Sequence, residues 1–418
     1  MLAHLGAPGS PAWPKAAKIV TMAAVRHVSR QERRWRLARR HLLADDTQAP
    51  EVATVADALV ALHSSDPASV YLSCWPRLAA PSRAAVERAL YEQRSVLRHH
   101  AMRRTIWVFT PAVARLAHAS CTTALAATEW RRLARLIEES NIAADGAAWV
   151  RAAKAEALAV LADAEPVSAR QFGELLPSLR VPLQLAPGKP YAGTQNAHSR
   201  LLQNLGFDGS VLRGPPTGSW ISAEYLWSPA SKWHPEELAG LDRAAASAAL
   251  TQRYLEAFGP ASTADVQWWS GWSGATTKAA LAAAGAVRVT VDGGDGWLAA
   301  GDDDTAEPVP PWVALLPSLD PTVMGWKERT WYLGELGTFG GPLFDRNGNA
   351  GPTVWVNGEV VGGWAQRPTG EIAFRLFAAV GADHRRAIEA KAAELSLLIG
   401  NERVRGRFPV PLQRELLA

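Results

Sequence analysis

The chain has 418 residues, 48% of them hydrophobic and 20% charged, and a formal net charge of +4. That composition excludes a disordered or fibrous chain, and the length exceeds one ordinary domain, leaving room for two to four cores. No stretch approaches the ~18 apolar residues of a membrane span, and having only Cys74 and Cys121 excludes a disulfide scaffold or cysteine-based zinc site and fits a reducing cytoplasm.

Residues 1–22 are rich in Gly, Pro and Ala and lack the charged start, apolar centre and cleavage site of a secretion signal. They read as a disordered leader, with Met22 opening the folded protein. Charge is polarised after it: Arg26, Arg30, Arg33, Arg34, Arg36, Arg39 and Arg40 stand against the single acid Glu32, while acids gather at Asp302, Asp303 and Asp304. Ser29 and Glu32 have capping-box spacing and predict a helix over 30–44. Its period places Arg33, Arg36 and Arg40 on one face, where they either contact DNA phosphates or form a solvated surface.

A second helix is expected over 52–62, with Val55, Leu59 and Leu62 on one side. A third runs over 67–78 and a fourth over 81–91. The period then changes to two, predicting paired strands at 96–100 and 103–109 around a short turn. This hairpin is basic, with Arg98, His99, His100, Arg103 and Arg104, and Met102 at its tip suits an apolar wedge or a packed side chain. Helices followed by a hairpin is the order of a winged helix. After a helical connector over 111–165 the order recurs: helices at 168–176 and 194–205 with strands at 209–214 and 219–227, then helices at 242–258 and 274–284 with strands at 287–291 and 297–300. Ser262 and Asp265 offer another capping box in this last unit. Beyond 307 strands dominate. Asn357-Gly358 between alternating apolar runs predicts a tight hairpin, 371–377 a further strand, and 383–399 a closing helix. The expected fold class is therefore α+β: about three tandem winged-helix modules (23–110, 166–235 and 236–306) and a β-rich region at 307–418.

Five stretches resemble a known family: Leu62-His63-Ser64-Ser65-Asp66-Pro67; His100-Ala101-Met102-Arg103-Arg104-Thr105-Ile106-Trp107; Phe258-Gly259-Pro260-Ala261-Ser262-Thr263-Ala264-Asp265 with Trp269; Leu315-Leu316-Pro317-Ser318-Leu319-Asp320-Pro321; and residues 358–364. In this order they resemble the bacterial winged-helix DNA-binding family that contains the alkylpurine DNA glycosylases, including the azinomycin-resistance type. The resemblance implies a C-shaped chain with a concave basic face for double-stranded DNA. It also implies hydrolysis of the N-glycosidic bond of N7-alkylated purines, interstrand crosslinks among them, with neither cofactor nor metal. The family's catalytic motif is Gln-x-Gln or Gln-x-Asp, and His63 and Ser65 occupy the matching positions.

An N7-alkylpurine already carries positive charge, so its departure needs little acid catalysis and the protein must chiefly place water and stabilise a sugar cation. His63 is a candidate to hold or activate that water and Ser65 to orient it. Asp66 meets His63 on one face if the helix persists; alternatively it caps a helix starting at Pro67. Asp320 and Arg329 are weighed as site residues against turn chemistry. The expected protein is a cytoplasmic monomer acting on damaged DNA; the alternative is a non-catalytic DNA-binding protein, a regulator or lesion-shielding factor.

Overall fold

Ser29 accepts the Glu32 N–H at 3.1 Å and opens the helix Arg30–Arg40. In the computed structural model the described residues are 25–418 apart from 187, 190, 191, 235–237, 303 and 337–340, so the expected leader lies outside them. Half of the predicted capping box is used: the Glu32 carboxylate turns instead to Arg26 and Arg36. At Ser262 and Asp265 both bonds of the box are made, and the helix Thr263–Ser270 follows.

The second helix is shorter than expected. It spans Val52–Ala58, and after Val60 turns into the left-handed region at φ 63° the chain becomes the strand Leu62–His63. This strand pairs antiparallel with Ile106–Phe109, which also pairs with Leu97–His100, giving a three-stranded sheet. Extension here buries Leu62 while placing His63 opposite Trp107. The hairpin's second strand begins at Ile106 and not at 103, because Met102–Arg104 forms a tight turn with Arg103 and Arg104 at φ 54° and 62°. Left-handed backbone costs such residues about 1 kcal/mol each. It is held by Ala101 N–H to Thr105 O at 3.0 Å, Thr105 Oγ1 to Met102 O at 2.9 Å and the fully buried Met102 side chain.

The other expected helices form, with bounds of Pro67–Cys74, Arg83–Glu87 (continued as a π-helical turn over Arg88–Glu92), Thr123–Glu139, Gly146–Asp163, Ala169–Leu175, Ala197–Phe207, Arg243–Phe258, Gly274–Ala283 and Ala382–Ile399. A hairpin of Val211–Pro216 with Tyr225–Pro229 follows the second unit. Val287–Val291 and Gly294–Leu298 follow the third, and His27–Val28 adds a parallel strand to that pair. Residues 313–376 build a four-stranded antiparallel sheet in sequence order. In its Asn357-Gly358 turn both residues have positive φ, 50° and 86°, as the sequence predicted. The strand Gly193–Asn196, paired with Pro182–Leu185, takes the place of the first residues of the helix expected over 194–205, which starts at Ala197; Pro182–Leu185 and the helix Pro411–Leu417 had no sequence expectation.

Two cores run through these elements regardless of chain order. One joins residues between 37 and 121 to others between 250 and 412; a second joins 49–108 to 313–399. A separate core spans 133–227. At the centre Arg77, fully buried, donates to both oxygens of Asp320 at 2.9 and 2.8 Å, to Thr322 Oγ1 at 2.8 Å and to the His41 carbonyl at 2.9 Å. This ion pair ties the 67–77 helical segment to the C-terminal region. Asp320 is therefore a structural partner and the N-cap of Pro321–Met324. Arg329 is buried too, donating to Trp326 and Gly348 carbonyls. Among the described residues no helix is long and apolar enough to cross a membrane.

Candidate functional site

Several residues expected on a DNA-facing surface turn inward. Arg33, Arg36 and Arg40 do share a helix face, but it packs against the chain's own acids. Arg36 donates to Asp302 at 2.7 and 2.9 Å and to Glu32 at 2.9 Å, and Arg40 donates to Asp302 at 2.7 Å and to the Gly259 carbonyl at 3.1 Å. Arg33 donates to the Pro260 carbonyl and lies 4.1 Å from the Trp331 ring centroid; burial pushes its pKa down to about 10. The charge separation along the sequence is cancelled in space, which corrects the phosphate-contact reading for this helix.

The hairpin is corrected in the same way. His99 is buried with Nε2 3.0 Å from His118 Nδ1, and His100 is buried with its ring stacked on Phe207 at 4.1 Å. Burial drives both imidazoles well below the ordinary histidine range. Met102 lies in the core and cannot serve as a wedge. Arg98 is buried behind the sheet, donating to Ser64 Oγ at 3.1 Å and Tyr91 Oη at 2.6 Å. Arg103 lies over the Trp268 ring at 3.9 Å. Arg104 remains exposed and pairs with Glu129 at 2.8 Å.

The motif positions separate into different roles. His63 is 4% exposed, its ring 4.5 Å from that of Trp107, and its Nδ1 accepts the Ser65 N–H at 3.3 Å. Burial, helped by Arg103, pushes its pKa down to about 3, so the ring is neutral with its proton on Nε2. Because His63 lies on a strand, it does not share a helix face with Asp66. Asp66 is the N-cap of Pro67–Cys74, accepting the Ala68 N–H at 3.2 Å through Oδ1 and the Arg407 N–H at 3.0 Å through Oδ2. Burial pushes its carboxyl pKa up, and these N–H groups oppose the shift. Both oxygens are committed to backbone, which corrects the reading of Asp66 as an aid to His63.

Ser65 belongs to a cleft of about 310 Å3 between the hairpin sheet, the strands at 211–229 and the loop at 407–408. Its walls include Ser64, Ser65, Arg104, Arg213, Tyr225 and Arg407, and among the described residues no Asp or Glu lines it. Arg407 donates to the Ser65 carbonyl at 3.2 Å. Arg213 lies over Trp227 at 4.9 Å and Tyr225 at 5.5 Å. Burial pushes its pKa down to about 10; Tyr225 opposes that, and Arg98 and Arg407 add to it. It remains cationic at neutral pH. Arg213 and Arg407 were not among the sequence candidates. The alternation of Arg403, Arg405 and Arg407 was the available signal for the second; Arg213 stood alone in an expected strand. No group of three or more His, Cys, Asp or Glu is arranged to hold a metal among the described residues.

The arrangement is thus a cationic, carboxylate-free cleft with a serine hydroxyl at its wall, suited to polyanions and to placing water. The chain belongs to the family described as DNA glycosylase AlkZ-like, whose pattern matches residues 56–397, and this places it among the DNA-repair glycosylases. Its fold is similar to that of the Streptomyces sahachiroi DNA glycosylase AlkZ, with a TM-score of 0.68 at 19% identity over 90% of this chain and 98% of that one. No curated protein sequence matches the chain.

Proposed function

We propose that the protein is a monofunctional glycosylase that hydrolyses the N-glycosidic bond of N7-alkylated purines in duplex DNA, crosslinked bases included. The observation that carries this reading is the cleft in which Ser65, at a catalytic-motif position, shares a wall with Arg104, Arg213 and Arg407. A cationic base leaves without a proton donor, so a neutral hydroxyl suffices to orient water toward C1′. His63 acts at one remove, fixing Ser65 through its backbone N–H. The three helix-and-hairpin units read as winged helices, together presenting a DNA-binding face that a monomer can use.

The test is a duplex with one N7-methylguanine, scored for abasic sites by alkaline cleavage. Wild type should release the base, Ser65→Ala should slow release at least about tenfold, and Asp66→Asn should stay within about threefold, since its oxygens cap backbone. One feature favours a second reading: burial lowers the basicity of His63 and of His100, which lines the cleft, and Asp66 is committed to backbone, so among the described residues the cleft has only weak candidates for a general base. DNA binding without release of any alkylpurine would establish that reading, a lesion-shielding or regulatory protein.

A further inference from the structure

The cations of this cleft outnumber the acids able to balance them. Arg104 reaches Glu129, but that one buried carboxylate also serves Arg132 at 3.4 Å and Arg200 at 3.5 Å. Asp66 attracts Arg407 but spends its oxygens on two backbone N–H groups and forms no ion pair with a cleft guanidinium among the described residues. Arg98, directly behind the wall, is held by hydroxyls and aromatic faces alone. The Arg213 side chain makes no hydrogen bond or ion pair among the described residues, and its Nε is buried without a partner. Tyr225 Oη is likewise buried and unpaired. Guanidinium groups so placed repel one another, and Arg213 keeps a buried donor without a partner until an anion enters.

The same features argue against a base as occupant. An N7-alkylpurine is a cation and would meet three guanidinium groups. Tyr225, in the cleft wall, has Arg98 over its ring at 4.9 Å and Arg213 at 5.5 Å, which compete with a base stacking on that ring. A phosphate has the opposite charge and the oxygens that arginine forks fit.

We infer that the cleft seats one phosphodiester of the DNA backbone, clasped by Arg104, Arg213 and Arg407, and not the damaged base. The inference rests on the reading that DNA is the substrate. A phosphate seated here fixes the register of the duplex beside Ser65. It also adds to the negative charge that Glu129 and Asp66 supply only in part.

The experiment uses the full chain and a set of duplexes carrying an abasic-site analogue, each with one uncharged methylphosphonate at a successive linkage. Binding is read by fluorescence anisotropy for wild type, Arg213→Gln and Arg407→Gln. At one linkage, neutralisation should weaken wild type about tenfold, the scale of a charge-assisted contact. The same linkage should cost either variant less than about twofold, because the clasp is already broken. The salt slope of each variant should be shallower by about one. Arg407 is exposed, so its variant reads the clasp even if Arg213→Gln fails to fold. Equal losses for wild type and both variants at every linkage would overturn the proposal. Base release is not measured here: coupling without excision elsewhere removes the glycosylase reading alone, and excision without coupling removes the clasp alone.

Discussion

Acid should unfold this protein unusually early, and the buried histidines set the size of the effect. His41 is fully buried, its Nδ1 2.8 Å from Thr322 Oγ1 and its Nε2 3.1 Å from the Ala257 carbonyl. Burial, with Arg77 beside it, pushes its pKa from 6.5 down to about 3, as burial does for His63. Both are neutral in the fold and charged in the unfolded chain below pH 6.5. The unfolded state therefore binds more protons, and stability is lost as pH falls from 6.5 toward 3. At pH 5 each histidine costs about 2 kcal/mol, or about 4 kcal/mol together, against a typical total of about 5–15 kcal/mol. His99 and His100, also held neutral, add to the loss. Urea denaturation followed by tryptophan fluorescence between pH 7.5 and 5 measures it. His63→Gln should remove roughly half of the slope due to this pair. A change below about 1 kcal/mol between pH 7 and 5 would refute the reasoning.

Two further variants separate packing from binding. Asp320→Ala leaves the Arg77 guanidinium buried without its carboxylate and should cost about 3–5 kcal/mol by chemical denaturation, with the double variant Arg77→Met, Asp320→Ala recovering part of the loss. Met102→Ala should cost about 2–5 kcal/mol of stability while changing the affinity of the folded protein for duplex DNA less than twofold, the reverse of what a wedge requires.

Local chemistry was the legible part of the sequence. Ser262 with Asp265, Asp66 before Pro67 and Asn357-Gly358 each act within a few residues, and each forms the cap or turn its side chains favour. The apolar pattern around Leu62 fitted a helix because its length and side chains suit either state. The strand was decided by Ile106–Phe109, some forty residues away, whose backbone supplies hydrogen bonds. The arginines misled for the same reason. Periodicity puts Arg33, Arg36 and Arg40 on one face but carries no information about what that face meets, and Asp302 arrives from a distant segment. The cleft was half visible: Ser65 and Arg104 came from the resemblance and the hairpin, whereas Arg213 and Arg407 join them only through tertiary packing.

The strand His27–Val28 has a consequence for how the protein is made. Its partner is Val287–Val291, and His27 lies beside Thr290, 263 residues further along the chain. At synthesis rates of about 5–20 residues per second, the first strand waits roughly 13–50 s for its partner to be translated. The helix Arg30–Arg40 waits similarly for Asp302, and the 49–108 core waits longer for the C-terminal sheet. Only the 133–227 core is complete in one run of sequence. The middle of the protein can therefore fold on the ribosome while the beginning remains an unsheltered apolar segment, so fast expression should favour inclusion bodies and slower translation or chaperone supply should favour recovery of native protein.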